Sequence, residues 1–274
     1  MSKTQDQVIR AAIVQSELPL GDVEGNRRAL RNMMLSLRDA DLVVAPELVF
    51  SGYDLTMIDE RADALAEPMD GPSVSMMLEV AAERGMTIVA GILERASNGT
   101  LFDTVVIVTP NGEPTPYRKS HLFPAELKRF AAGDELVTVP TPAGILGPQI
   151  CFEHAFPIIS TTLANDGAEI IVIPSAVPDG FEYLLTLRSR ARAQDNQVFV
   201  VAANQTGNGF SGHSLIVDPL GRVLAAAGRE DAILTADLDL GLIQSEREQE
   251  PALGLARPEL YRLDPRLSSK GMTR

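Results

Sequence analysis

A chain of 274 residues, 45% apolar and 22% charged, is long enough to bury a sizeable core as one large domain or two small ones. A formal charge of −13 argues against nucleic acid and anionic membrane surfaces as partners. The single cysteine excludes an internal disulfide framework and suits a reducing compartment. The N-terminal stretch MSKTQDQVIRAA has no apolar run of signal-peptide length, so a cytoplasmic protein without a membrane span is expected.

In chain order, Arg10 to Gln15 reads as a short buried strand, and Asp22 to Asp39 as a helix with Ala29, Leu30, Met33, Met34 and Leu37 on one face. Asp41 to Ala45 is a second buried strand ending at Pro46-Glu47. Met76 to Arg84 is helical, Gly85 marks its end, and Thr87 to Gly91 is a third strand. This is a β-α-β-α-β order. The period then changes to a hairpin, Thr104 to Thr109 and Pro114 to Tyr117, around Asn111-Gly112. Beyond Cys151 the alternation returns: helix Ile158 to Asn165, strand Glu169 to Ile173, helix Glu182 to Asp195, strand Val198 to Ala203. A second hairpin spans Ser214 to Val217 and Arg222 to Ala225. A last strand, Ala232 to Ala236, precedes a short helix, Leu240 to Glu248. No linker or repeat of fixed period interrupts the chain, so one domain over 1–274 is expected. Its two similar halves suggest two mixed sheets packed together with helices outside. The tail, 250–274, carries three prolines and no clear period.

Polar side chains cluster at strand ends. Cys151 stands at a strand-to-helix corner in Gly147-Pro148-Gln149-Ile150-Cys151-Phe152-Glu153-His154-Ala155-Phe156-Pro157. The free N–H groups of the following turn and the helix dipole favour a thiolate there and can hold an oxyanion. A lone cysteine is more often a small buried hydrophobe, and its company decides. Glu47 lies just past an apolar strand, between a proline and a glycine. Lys119 closes the segment after the first hairpin, with Glu126 seven residues on. Each of these, judged alone, is an ordinary surface residue, and His121 and His154 each read as structural. No cluster has metal-ligand spacing, and no phosphate loop or dinucleotide fingerprint occurs, so neither metal nor cofactor is expected.

Three segments appear in order: Ala45-Pro46-Glu47 with Phe50-Ser51-Gly52-Tyr53, Arg118-Lys119-Ser120-His121-Leu122-Phe123-Pro124-Ala125-Glu126, and Ile150-Cys151-Phe152-Glu153-His154. Together they resemble the nitrilase superfamily of carbon–nitrogen hydrolases, whose hallmark is a Glu-Lys-Cys triad. Ala12-Ile13-Val14-Gln15, Arg190-Ala191-Arg192-Ala193, Ala202-Ala203-Asn204-Gln205 and Asp218-Pro219-Leu220-Gly221 look like further blocks of it. The resemblance implies an α/β fold, a four-layer αββα sandwich that dimerises, with 250–274 packing on a partner subunit. It implies Cys151 as nucleophile, Glu47 as general base and acid, Lys119 and the Phe152 N–H as oxyanion donors, and Glu126 as an assisting carboxylate. Expected pocket residues are Tyr53, Phe152, Glu153, His154, Ser175, Ala176 and Val177, with Phe181 nearby. No lysine or arginine lies in 175–181, which disfavours a carboxylate-bearing substrate clamped there.

Departures are visible too. Relatives commonly carry Asp, Glu and Arg where Glu153, Ile158 and Thr161 stand, so an ion pair is lost while the triad is kept. Cys-x-Glu-His resembles the true nitrilase branch, whereas His-Leu-Phe after Lys119 resembles the amidases and carbamoylases. The expected activity is hydrolysis of a small-molecule amide to carboxylate and ammonia through a Cys thioester. The alternatives are a nitrilase, an N-carbamoyl amine hydrolase, transfer to an acceptor other than water, or a catalytically silent ligand-binding relative.

Overall fold

The structure, a computed structural model, describes residues 7–261. Three apolar runs, β1 (Val8–Gln15), β2 (Leu42–Val44) and β3 (Thr87–Arg95), lie side by side and parallel. Continuous apolar runs suit strands covered on both faces. Helix α1 (Val23–Ser36) crosses from β1 to β2, and α2 (Leu55–Leu65) and α3 (Pro72–Arg84) cross from β2 to β3. Antiparallel strands β4 (Leu101–Val108) and β5 (Thr115–Arg118) complete that side.

The second half repeats the plan. After β6 (Val139–Thr141) and β7 (Gly144–Pro148), a 3-10 turn (Cys151–Ala155) leads into α4 (Pro157–Asn165). Strand β8 (Ile170–Ser175), helix α5 (Glu182–Asn196) and strand β9 (Phe199–Asn204) follow, with β7, β8 and β9 parallel. A small pair, β10 (Thr206–Gly207) and β11 (Phe210–Ser211), precedes the hairpin β12 (Leu215–Val217) and β13 (Val223–Ala226). Strand β14 (Ala232–Asp239) then returns to the first sheet, antiparallel to β1, and α6 (Gly241–Gln249) follows.

The two six-stranded sheets therefore run β14-β1-β2-β3-β4-β5 and β13-β12-β9-β8-β7-β6. Strand alternation sorts their side chains into three apolar layers. Ile13, Val44, Val89 and Val105 meet Leu146, Val172 and Val201 between the sheets. Val43, Ile88 and Val106 pack against Leu30, Met34 and Met77 of α1 and α3. Ile171, Ile173 and Val200 pack against Leu163 of α4 and Leu185 of α5. The order is α-β-β-α, the expected sandwich.

The structure adds elements the periodicity did not show. Residues given no element in the sequence form α2, whose Asp54 side chain accepts from the Met57 N–H at 2.9 Å. Helix α3 begins four residues before the expected Met76, on Pro72, and β3 continues to Arg95. Within the tail, Pro251 to Tyr261 holds two short 3-10 turns and is mostly exposed, and 262–274 lie outside the described residues. No described helix is long and apolar enough to cross a membrane.

Candidate active site

Three strand ends converge. Glu47 follows β2, Lys119 follows β5 and Cys151 follows β7, all at the carboxyl ends, where open α/β sheets present their ligand sites. Lys119 Nζ donates to Glu47 Oε1 at 2.6 Å and to Glu126 Oε1 at 2.8 Å. A third carboxyl, Asp103 on β4, approaches the same ammonium at 3.1 Å. All four side chains are buried. Burial alone would lower the Lys119 pKa, but Glu47 and Asp103 hold it well above the ordinary lysine value, so the ammonium is permanent. These three acids could also ring a metal ion. The ammonium already fills that role.

Local backbone explains how Glu47 arrives. Leu48, the next residue, takes φ 43°, a left-handed conformation uncommon for leucine. The turn lies directly on Gly91 of β3, where a Cβ would stand 2.4 Å from Leu48 N and 2.7 Å from Glu47 Cα. Gln205, from the second half, donates to the Glu47 carbonyl at 2.6 Å. Glu126 is fixed as firmly: Oε1 also accepts from the Tyr53 hydroxyl at 2.6 Å, and Oε2 from the Phe123 N–H at 2.6 Å.

Cys151 is half-buried and itself sits at φ 44°. Burial and the Glu47 charge push its thiol pKa up, against the pull of Lys119 and of the Ala176 backbone. The expected resting thiolate is thereby corrected to a thiol. The turn's dipole is outweighed because the sulfur lies out of water beside a carboxylate. The Cys151 sulfur thus lies near enough to Glu47 and Lys119 for both charges to act on it.

The matching family is the one described as carbon-nitrogen hydrolase, over residues 10–248. The chain belongs to the carbon-nitrogen hydrolase family. Among its relatives, a 2-oxoglutaramate amidase of Bacillus subtilis is 37% identical over 236 residues, 82% of this chain and 88% of that protein. An (R)-stereoselective amidase of a Pseudomonas species is 34% identical, over 83% of this chain and 84% of that protein. A superfamily protein of Xanthomonas campestris, XC1258, solved with an arsenic adduct in its active site, superposes with a TM-score of 0.85. It is 27% identical, covering 94% of this chain and 100% of that one.

In this carbon-nitrogen hydrolase the remaining expected pocket residues divide. Phe152 is the second residue of the 3-10 turn, in its first turn, where an N–H has no carbonyl of its own turn to bond. Its ring meets Phe123 and Phe156 edge-on, each at 5.3 Å, forming an aromatic rim beside the sulfur. The Ala176 backbone faces the sulfur and draws its pKa down, whereas the Val177 N–H is taken by Asn204 Oδ1 at 2.7 Å. The Ser175 hydroxyl donates to the Ile173 carbonyl at 3.2 Å and is buried. Phe181 is exposed.

Glu153 does not offer its carboxylate to a ligand. Oε1 accepts from the Tyr117 hydroxyl at 2.8 Å and the Ser120 N–H at 2.8 Å, and Oε2 from the Ile150 N–H at 2.7 Å. Burial would raise its pKa, but bonds from His121, Ser120 and Ile150 hold it below the usual carboxylate value. It is a latch between the loop carrying Lys119 and the turn carrying Cys151. His154 is buried, held to a pKa of about 3 by burial and by the Arg188 and Arg192 cations, and so stays neutral. Its Nε2 lies 3.1 Å from Arg188, which leaves it a packing role in the turn.

Asp103 and Gln205 complete the site without having been read as site residues. Asp103 sits in Leu101-Phe102-Asp103-Thr104-Val105, and an isolated acid in an apolar strand is the signal that would have found it.

Proposed function

We propose that this protein hydrolyses a small neutral carboxamide to carboxylate and ammonia through a thioester on Cys151. The observation that carries this reading is the Lys119 ammonium held between Glu47 and Glu126, next to the thiol. Glu47 takes the Cys151 proton as sulfur attacks the carbonyl carbon. Lys119 and the Phe152 N–H hold the oxyanion. As the C–N bond breaks, Glu47 returns that proton to nitrogen and ammonia departs. Water then gives a proton to Glu47 and attacks the thioester. Collapse of the second tetrahedral species frees the acid, and Glu47 reprotonates sulfur. Glu126 orients Lys119 and Tyr53.

The names of the two amidase relatives support an amide over a nitrile or an N-carbamoyl amine. The rings of Phe152, Phe123 and Tyr53 support an apolar acyl group. The chain acts as a single domain over 1–274 in the cytoplasm. The lone cysteine supports the reducing setting, and exposed Tyr183 and Leu187, one turn apart on α5, support a homodimer. In that dimer the exposed part of the tail, 250–261, packs on the partner subunit.

An ammonia-release screen over primary amides, nitriles and N-carbamoyl amines tests the reading, with Cys151→Ala as control. Apolar primary amides are expected to be hydrolysed by the wild type alone. Release from nitriles only would overturn it.

A further inference from the structure

The Lys119 ammonium is met by three carboxyl groups, and one cation cannot balance three anions. Asp103 reaches it because β4 alternation sends Asp103 inward with Val105 and Ile107, and because the Lys119 N–H donates to the Asp103 carbonyl at 2.9 Å. Glu47, Glu126 and Asp103 place carboxyl oxygens within 4.8 Å of one another. Fully ionised, the cluster would carry a net −2 out of water. Acids sharing a dry site resolve such crowding by keeping a proton.

Hydrogen-bond partners show where that proton sits. Every contact of Glu126 is a donor: Lys119 Nζ, the Tyr53 hydroxyl and the Phe123 N–H. It is an anion. Glu47 and Asp103 each take one bond from Lys119, leaving Glu47 Oε2 and Asp103 Oδ1 buried without a partner among the described residues. The two carboxyls flank the same ammonium, with oxygens within 4.8 Å of each other. A single proton between them satisfies both orphaned oxygens.

We infer that Asp103 holds this proton in the resting enzyme and donates it as an O–H···O bond to Glu47, keeping Glu47 ionised to receive the Cys151 proton. Asp103 is a positioning residue, acting through Glu47, and the inference rests on Glu47 being the base. Burial, the Glu47 charge and the Glu126 charge all raise the Asp103 pKa, and Lys119 alone opposes them. The groups facing it are Lys119, Glu47 and Glu126, with Tyr53 and Cys151 behind them. When Asp103 loses its proton at high pH, a third anion stands beside the forming oxyanion, and the rate falls.

Asp103→Asn tests this, because the amide is the neutral isostere of the protonated acid: Nδ2 donates to Glu47 and Oδ1 accepts from Lys119. The variant is expected to lose the high-pH decline in kcat/KM. A folded variant slower by about a hundredfold, with the decline unmoved, overturns the inference. Infrared spectroscopy of wild-type protein labelled with 13C-aspartate gives a second measurement independent of that variant and of turnover. A protonated-carboxyl band that shifts with the label at neutral pH is expected, and its absence overturns the inference. If neither protein turns over any amide, the amidase reading fails while the infrared band still decides the proton.

Discussion

Lys119 Nζ lies 2.6 Å from Glu47 Oε1, and neither side chain is more than 1% exposed. A buried ion pair adds little net stability, yet removing one partner strands the other in a dry site. Lys119→Ala is therefore expected to lose turnover and also about 3–5 kcal/mol of folding stability. Urea denaturation of the two proteins checks this. A Lys119→Ala protein as stable as wild type would show that the cage is not buried in solution.

The Glu153 latch makes a pH-dependent contribution. Its folded-state pKa lies below the ordinary value, so its stabilisation is complete above that value and is lost as pH falls through the folded one. Glu153→Gln, unable to change charge, is expected to be less stable at pH 7 and to lose less stability than wild type on acidification below about pH 5. Thermal unfolding across that range measures it. Parallel curves for the two proteins would contradict the role.

Gly91 is a packing requirement of the site. A Cβ there would strike the Glu47 backbone at 2.7 Å, and backbone cannot rotate aside as a side chain can. Gly91→Ala is expected to remain folded, lose about 1–3 kcal/mol of stability and drop sharply in kcat as Glu47 shifts from the thiol. Steady-state kinetics beside a melting curve separates the two effects. Unchanged kcat would place Glu47 outside the chemistry.

The thiol of Cys151 is expected to stay protonated at neutral pH. Thiolate ultraviolet absorbance, read as wild type minus Cys151→Ala, should appear only above the ordinary thiol range. Glu47→Gln removes a neighbouring anion and should move the titration down. A wild-type thiolate at pH 7 would contradict the role of Glu47 as base.

The site was legible in the sequence where chemistry stood out from its surroundings. Glu47 follows an apolar run at Pro46, Cys151 follows one at Gly147-Pro148, and Lys119 closes the first hairpin; Lys119 bonds to Glu47, and both charges act on the Cys151 sulfur. Pocket details were less legible. Glu153 and His154 adjoin the nucleophile in sequence, but a 3-10 turn points them away from any ligand, toward Tyr117, Ser120 and Arg188. Adjacency along the chain does not fix direction in so tight a turn. Asp103 escaped because the hairpin strand was taken to begin at Thr104, one residue later, and its partner Lys119 is close only through the β4–β5 ladder. Helix α2 was hidden by its acidic residues, although Leu55, Ile58, Ala62 and Leu65 keep helical spacing after the Asp54 cap.

The covalent intermediate is the direct test of the whole account. Rapid acid quench of the enzyme during turnover of an apolar primary amide, followed by mass spectrometry, should find the acyl group on the peptide containing Cys151. Ammonia release at the wild-type rate by the Cys151→Ala protein, with no adduct on either, would contradict it.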